Sequence, residues 1–403
     1  MNENKYYLMH KDIVVAEMLI SDDGNVSNLK KNQVYADHFP VGGQMNEMKF
    51  YEWWKDRAIP KTRDGAKSAL QRLGYSSTGS ALVNNLALSL NDCYWIKPFT
   101  SDLNWKDVNL FENDFVDSFG SLTFNINSKH DFRNITKFHF ATSQGELKKK
   151  WCIDDEGKRF LLKGNYGDSY QQSLNELFAC NIYKQLGFNN YLNYEIANLK
   201  TIANTNGIGC FSYNFCNNNV ESISVWEYLQ TRKIKKNESL YHPLKDICLS
   251  LGMKEKDFDY FIDWEIMIDF LITNTDRHMN NISILRDPDT LKTIGFAPVY
   301  DNGNSMFYNV PYENLFNMKF SKIETHSFIK HELKLLSYVH NRNCIDFEKL
   351  KPDFSIYNKE VFERKIRIKQ LESLFNKKLL LLKDFQNDKD IWSYSYIKNH
   401  LSE

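Results

Sequence analysis

The sequence predicts an α+β fold, in which a two-lobed core follows an additional N-terminal α+β domain. Residues 135–215 show the order strand, turn, strand, helix, strand, strand, which is typical of a small antiparallel sheet with one packed helix. Beyond residue 217 the apolar pattern becomes helical. We therefore predict an accessory domain over 1–130, a small lobe over 131–216 and a mainly helical large lobe over 217–403.

The composition excludes several classes of protein. Of the 403 residues, 42% are hydrophobic and 25% are charged, which excludes disorder as the main state. Basic and acidic residues both number 51, and this neutral balance argues against a protein that coats nucleic acid or a membrane surface. No stretch approaches the roughly 20 apolar residues of a membrane span, and the first residues lack a signal-peptide core. We expect a cytoplasmic protein with no membrane association and no direct nucleic-acid binding.

The seven cysteines are scattered and show no Cys-x-x-Cys spacing, so neither a disulfide framework nor a zinc site is predicted. In the accessory domain, the apolar run at 13–20 predicts a strand, and 66–90 predicts one or two short helices broken near Gly74. The tract from Tyr94 to Trp105 is rich in aromatic residues. We interpret these rings as packing between the accessory domain and its neighbour.

The core contains apolar runs of both strand and helix character. Strands are predicted around Phe138 and Phe140, at 158–163, at 195–203 and at 207–215. Helices are predicted over 173–186, 258–273 and 360–385. The first of these helices has its apolar residues at helical spacing and Gly187 directly after it, where a helix end favours glycine.

The most informative motif follows the helix at 258–273. Asp276 lies in the segment ITNTDRHMNN, Asn281 comes five residues later, and Asp301 follows in the segment APVYDNG. Phosphoryl transfer needs an acceptor for the proton of the nucleophile, and oxygen ligands that hold Mg²⁺ against the phosphates. An Asp that orients the hydroxyl, together with an Asn and a second Asp that hold metal, would meet both needs. The motif therefore favours phosphoryl transfer over a plain turn, although Asp and Asn are also common in turns.

Residues upstream of this motif supply the remaining parts of such a site. Lys163 ends an apolar strand, where a kinase-type fold presents a cation to the nucleotide phosphates, and Glu176 on the following helix would fix that lysine. Glu176 also fits a capping box with Ser173 as the N-cap. The loop that begins at Thr142 would cover the phosphates with Ser143 and Gly145, but hydroxyls are equally typical of a simple turn.

These segments resemble the HipA-like serine/threonine kinases, which are bacterial toxin-type kinases with a protein-kinase-like fold. The resemblance covers roughly residues 135–340 and rests on NTDRH with Asn281, on APVYD ending at Asp301, and on Lys163 followed by the Asn-Glu pair at 175–176. The chain departs from the protein-kinase pattern in two places. It has no Gly-x-Gly-x-x-Gly loop, and no Phe follows Asp301.

The resemblance implies a set of roles for individual residues. Asp276 would be the catalytic residue, Asn281 and Asp301 the metal ligands, and Lys163, Glu176, Ser143 and Gly145 the residues that bind the nucleotide. ATP and Mg²⁺ would be the cofactors. The partners would be a protein substrate with a Ser or Thr acceptor and a separate antitoxin protein.

Two other functions stay open at the level of the sequence. The pattern Asp-Arg-His-x-x-Asn also resembles the catalytic loop of phosphatidylinositol kinases, so a lipid or small-molecule kinase is one alternative. A pseudokinase that binds nucleotide without transferring phosphate is the other. Arg277 would pair with a carboxylate or a phosphate, and we interpret His278 as a residue that packs and hydrogen-bonds within the loop rather than as a metal ligand.

Overall fold

The structure is a computed structural model, and it describes residues 3–125, 127, 142–143, 145–167, 169–235, 238–358 and 365–400. The strand predicted around Phe138 and Phe140 lies outside the described residues. Strands β1 to β11 span, in order, Glu3–His10, Ile13–Ser21, Val26–Lys31, Tyr94–Pro98, Lys149–Ile153, Arg159–Lys163, Glu195–Asn198, Ile208–Tyr213, Glu221–Ser224, Ser283–Arg286 and Thr293–Phe296.

Helices occur in every part of the chain, so the predicted α+β fold is confirmed. Helices α1 to α14 span, in order, Glu47–Arg57, Ala66–Leu73, Thr78–Asn84, Trp105–Val108, Ser118–Phe124, Gln171–Leu186, Leu199–Ala203, Val225–Leu229, Tyr241–Ser250, Glu255–Ile272, Tyr312–Leu315, Glu332–Leu335, Lys365–Gln386 and Tyr394–His400. None of the described helices combines the length and the apolar character that a membrane crossing requires.

The chain forms two compact units. Unit 1 consists of Met1–Gly164, Ala197–Lys233 and Ile284–Gly295, and unit 2 consists of Asn165–Ile196, Ile234–Ser283 and Phe296–Glu403. The predicted division into three consecutive parts stays a prediction.

The first sheet of unit 1 has the strand order β3-β2-β1-β4, and its pairs are antiparallel. The predicted strand at 13–20 is confirmed as β2, and the predicted short helices of 66–90 are α2 and α3, with Gly74 in the left-handed conformation between them. Most rings of the aromatic tract are buried as predicted, although Phe99 is exposed. Trp95 and Trp105 pack in one apolar cluster with Trp151 of β5. This cluster joins the accessory region to the next sheet of the same unit.

That next sheet has the order β5-β6-β8-β7 and contains the strands predicted at 158–163 and 207–215. Lys163 lies at its centre, opposite Lys149 on one side and Cys210 on the other. The strand predicted over 195–203 is wrong in its second half. β7 ends at Asn198, whose side chain accepts a hydrogen bond from the Lys200 backbone N–H and so begins helix α7.

Unit 2 contains the helices that carry the motif. Helix α10 confirms the helix predicted at 258–273. From Phe261 onward it is buried on every face, and its acidic residues Asp263, Glu265 and Asp269 are buried with the apolar ones. α6 confirms the helix predicted at 173–186, and Gly187 follows it with φ of 84°. The capping box is wrong, because α6 begins at Gln171 and Ser173 therefore lies inside the first turn. The Ser173 backbone N–H instead donates to the side chain of Asn165, 2.8 Å away.

Candidate active site

The loop after α10 presents Asp276. The helix ends at Ile272, and the next residue, Thr273, has φ of 54°. The backbone N–H of Asn274 then donates to the Asp269 carbonyl. The side chain of Asn274 accepts a hydrogen bond from the Asp276 N–H at 3.2 Å. The Asn281 side-chain amide donates back to the Asp276 carbonyl at 3.0 Å. The predicted catalytic residue and the first predicted metal ligand therefore share one closed loop.

Arg277 is buried beneath this loop and holds it to the segment that contains Asp301. Its guanidinium forms a two-pronged ion pair with Asp269, at 2.8 and 3.0 Å. It also donates to the Asn281 carbonyl at 3.3 Å and to the Tyr300 carbonyl. Burial lowers the pKa of Arg277, but the charge and hydrogen bonds of Asp269 raise it by more, so Arg277 is cationic. One guanidinium thus fixes the backbone at both predicted metal ligands.

A second set of contacts comes from the first two turns of α6, whose buried polar side chains hold residues 302–306. The Glu176 carboxylate accepts a hydrogen bond from the Asn302 N–H at 2.8 Å. Asn175 donates to the carbonyls of Gly303 and Ser305 at 2.8 and 2.7 Å. The two glutamines of the first turn also donate hydrogen bonds. Gln171 donates to the Met306 carbonyl, and Gln172 donates to the side-chain oxygen of Asn304.

Both oxygens of the Asp276 carboxylate have partners. Asn304 donates its side-chain amide to one oxygen at 2.7 Å, and the His326 Nδ1 lies 3.2 Å from the other. The backbone N–H of His326 also donates to the Thr275 carbonyl at 2.9 Å. The carboxylate is therefore oriented from two sides while its side chain stays 29% exposed, so it remains accessible from solvent.

The backbone around this site is strained in four non-glycine residues. Thr273, Asp301, Met306 and Phe307 all adopt left-handed conformations, with φ between 51° and 61°. Such conformations cost of order 1–3 kcal/mol each and persist only where surrounding contacts enforce them. Arg277 and the first turns of α6 supply those contacts here, so the shape of the loop is built at an energetic cost.

Glu265, one turn before Asp269 on α10, adds a buried carboxyl to this network. Its Oε1 lies 3.6 Å from the Arg277 Nε. Burial raises the pKa of Glu265 to about 8; the Asp269 charge raises it as well, and Arg277 opposes both effects. Burial therefore favours the protonated form of Glu265, and Asp269 is the carboxylate that forms hydrogen bonds with Arg277.

The predicted nucleotide-binding residues Ser143 and Gly145 lie in unit 1, where a buried arginine holds them. Arg63 donates to the Ser143 hydroxyl at 3.1 Å, to the Ser143 carbonyl at 2.5 Å and to the Gly145 carbonyl at 3.0 Å. Gly145 has φ of 92°, a conformation that favours glycine. Ser143 and Gly145 are therefore anchored to the accessory region, and a role in covering phosphates stays a prediction.

Two further predicted residues have mixed outcomes. Lys163 is 5% exposed at the end of β6, as expected for a buried strand-end lysine, and its pairing with Glu176 stays a prediction. His278 donates its backbone N–H to the Asp276 carbonyl, but its buried Nδ1 has no hydrogen-bond partner among the described residues. The expected side-chain hydrogen bond of His278 is thus not found at this atom.

Asn281 and Asp301 fit a magnesium site by the chemistry of their donor atoms. The Asn281 side-chain N–H₂ is committed to the Asp276 carbonyl, which leaves the amide oxygen to bind a cation. The positive charge of Arg277 is balanced by Asp269. Carboxylate and amide oxygens are ligands that suit Mg²⁺. Within the described ranges no group of three or more His, Cys, Asp or Glu residues could hold a metal by itself.

Sequence reasoning missed the residues that hold the site together. Arg63, Asp269 and Asn304 gave no motif, because each acts on a segment that is distant in sequence or lies in an irregular loop. The polar run Gln171-Gln172 and Asn175-Glu176 did carry a signal. These positions recur on one helical face that also needs to be buried, and buried polar side chains require partners.

The solved structures that are similar to this chain include two kinase structures. One is the Helicobacter pylori proinflammatory kinase CtkA, which has 15% sequence identity with this chain. The match covers 60% of this chain and 94% of that chain, and the TM-score is 0.43. The other is the complex of the toxin–antitoxin system HipA and HipB with its operator DNA from Shewanella oneidensis MR-1. Its sequence identity with this chain is 11%, the match covers 98% of this chain and 94% of that chain, and the TM-score is 0.47. The second is thus a structure from the family that the sequence motifs resemble.

No protein-family model matches the chain, and no curated protein matches it in sequence. At identities of 15% and 11%, the site residues, rather than the overall superposition, carry any inference about function.

Proposed function

We propose that this chain is an ATP- and Mg²⁺-dependent kinase that transfers the γ-phosphoryl group to a Ser or Thr hydroxyl of a protein. The observation that supports this most directly is the network around Arg277. It binds the Asn281 carbonyl on one side and the Tyr300 carbonyl next to Asp301 on the other. This network would hold the proposed proton acceptor and the two proposed oxygen ligands together, as phosphoryl transfer requires.

In this proposal Asp276 orients the acceptor hydroxyl and takes its proton. The hydroxyl oxygen attacks the γ-phosphorus and a new O–P bond forms, while the bond to the β–γ bridging oxygen breaks and ADP leaves. Asn304 and His326 fix the orientation of the carboxylate, so little reorganisation is needed when the hydroxyl arrives. Asn281 and Asp301 would hold Mg²⁺, which would supply positive charge to the phosphates. By the resemblance, Lys163 adds a cation to the α and β phosphates.

The first prediction tests the division of labour between the two aspartates. Asp276→Asn keeps the size of the side chain but removes its charge and its ability to accept a proton. We expect phosphoryl transfer to fall by about 10²–10⁴-fold, with Mg²⁺-dependent ATP binding little changed. Asp301→Asn should weaken that binding as well as turnover. Transfer of label from γ-labelled ATP and calorimetric titration with ATP and Mg²⁺ measure the two effects.

Near wild-type transfer by the Asp276→Asn protein would contradict the assignment of the loop. The same assay separates the alternatives, because the label is followed in protein, in lipid vesicles and in small molecules. ATP binding without transfer to any acceptor would favour the pseudokinase. A separate antitoxin partner, by analogy with the Shewanella complex, stays a prediction of the resemblance.

A further inference from the structure

A cavity of about 400 Å³ lies beside the Asp276 loop within unit 2. Its lining includes Thr273 and Thr275 at the end of α10, and Asn304 of the segment that follows Asp301. Because Asn304 also donates a hydrogen bond to the Asp276 carboxylate, the cavity adjoins the proposed proton acceptor directly. A volume of several hundred Å³ is of the size that holds side chains or a small ligand.

Thr273 is an unusual residue for the wall of this cavity. It is 2% exposed, and its buried hydroxyl has no hydrogen-bond partner among the described residues. Its φ of 54° is rare for a β-branched residue. An unpaired buried hydroxyl and a strained backbone both cost free energy, and such features concentrate at binding sites. The wall of the cavity is therefore held in a costly conformation next to the proposed proton acceptor.

The charges along the cavity indicate the kind of ligand. Its lining contains two lysines, Lys319 and Lys322, and one glutamate, Glu324. Glu324 pairs with Lys330 at 3.0 Å. In the part of the chain that the structure describes, neither lining lysine side chain has an ion-pair or hydrogen-bond partner. The cavity therefore presents two uncompensated positive charges next to apolar surface from Phe307 and Val310.

We propose that this cavity binds the acceptor segment of the protein substrate, and that Lys319 and Lys322 select acceptors with an acidic side chain close to the Ser or Thr. The acceptor hydroxyl then reaches Asp276 past Asn304, while the neighbouring carboxylate pairs with the lysines. This inference rests on the proposed kinase function. It adds a substrate class, namely acidic segments that carry a hydroxyl.

The test uses the full chain with ATP, Mg²⁺ and synthetic peptides that hold one Ser in an alanine-rich sequence. Asp, Lys or Ala is placed in turn at each of the three positions on either side of the Ser. We expect Asp to be preferred over Lys in kcat/KM by roughly tenfold at one or more positions, as two partly exposed ion pairs allow. The double variant Lys319→Glu, Lys322→Glu should reverse that order and phosphorylate the Lys peptides better.

The matched control is Lys334→Glu, which changes the same charge at an exposed lysine of α12 outside the cavity lining. It should keep the wild-type order. A gain on Lys peptides shows directly that the double variant is folded. If wild type transfers phosphate without preferring Asp, or if the double variant keeps the wild-type order, the cavity is not the acceptor site and the kinase proposal stands. If wild type phosphorylates no peptide and no protein, the proposed function fails and this inference fails with it.

Discussion

Among single residues, Arg277 carries the largest number of contacts that the proposed mechanism needs. It is fully buried, and its charge is paired with Asp269. A buried ion pair adds little net stability compared with well-packed apolar residues, but removal of one partner leaves an uncompensated buried charge. Its value to this protein therefore lies in geometry, because it fixes the carbonyls of Asn281 and Tyr300 relative to Asp276.

The second prediction follows from this difference between replacing the whole ion pair and removing only one partner. Arg277→Met should lower the free energy of unfolding by about 3–5 kcal/mol, since the Asp269 carboxylate is left buried without a cation. The double variant Arg277→Met, Asp269→Leu should recover part of that stability but none of the phosphoryl-transfer activity. Urea denaturation measures the first effect, and transfer from labelled ATP measures the second. Equal recovery of stability and activity in the double variant would show that Arg277 has no role in positioning.

Some residues of the site were predictable from the sequence and others were not. Phosphoryl transfer explains the spacing of Asp276, Asn281 and Asp301, so the sequence alone identified these three as candidate site residues. Glu176 was assigned to the nucleotide site, but its contact with the Asn302 backbone was not foreseen. That contact joins residues 126 positions apart, and no local pattern encodes such a pairing.

At the scale of elements, the approach of helix α5 to strand β5 in unit 1 depends on two neighbouring residues. Asp117 caps the helix by accepting from the Gly120 N–H at 2.7 Å, and its other oxygen accepts from the Trp151 N–H at 2.8 Å. A side chain at Gly120 would begin 2.7 Å from the Lys149 carbonyl oxygen. The carboxylate and the missing side chain together let the helix lie directly on the strand.

The third prediction concerns that close approach. Alanine normally stabilises a helix relative to glycine by about 1 kcal/mol. Gly120→Ala should instead destabilise the protein, by about 1–3 kcal/mol, because the added carbon overlaps the backbone of β5. Urea denaturation gives the sign directly. Ser121→Ala, the adjacent substitution in the same helix, serves as the control and should cost less. A Gly120→Ala protein as stable as wild type would show that the helix and strand can separate freely.

Element boundaries show where local sequence patterns stop being sufficient. The helix predicted at 258–273 was found at Glu255–Ile272, because its apolar pattern is long and its left-handed end is enforced by Asp269 and the loop after it. The strand predicted over 195–203 was wrong in its second half, because a short run with apolar residues is compatible with a helix as well as with a strand. The side chain of Asn198 decided between the two, and its capping contact is visible only in three dimensions.

At the scale of the whole molecule, the sequence predicted the class of fold but not the pairing of strands. The sheet of order β11-β10-β9 joins the hairpin that follows the Asn281 loop to a strand some sixty residues earlier. Compact unit 1 accordingly includes Ile284–Gly295, which any consecutive division of the chain would assign elsewhere. Such a pairing joins residues that are far apart in the sequence, so local composition and periodicity do not encode it.

The last prediction concerns how stability depends on pH. Burial raises the pKa of Glu265 to about 8, whereas a glutamate in an unfolded chain titrates near 4.5. Between these two values the folded protein holds a proton on Glu265 that the unfolded chain has lost. The free energy of unfolding contributed by this group is therefore fully present below pH ~4.5, decreases as the pH rises, and levels off above pH ~8.

The variant Glu265→Gln tests this pH dependence, because it keeps the shape of the protonated side chain and cannot ionise. Other groups titrate in the same range, among them buried Glu227, whose pKa burial raises to about 7, so the informative quantity is the difference between wild type and variant. Urea denaturation from pH 5 to pH 9 should show the variant gaining on wild type as the pH rises, while Glu313→Gln at an exposed position runs parallel to wild type. Parallel profiles for wild type and Glu265→Gln would mean that Glu265 is already ionised in the folded protein, and that Arg277 is paired with two carboxylates rather than one.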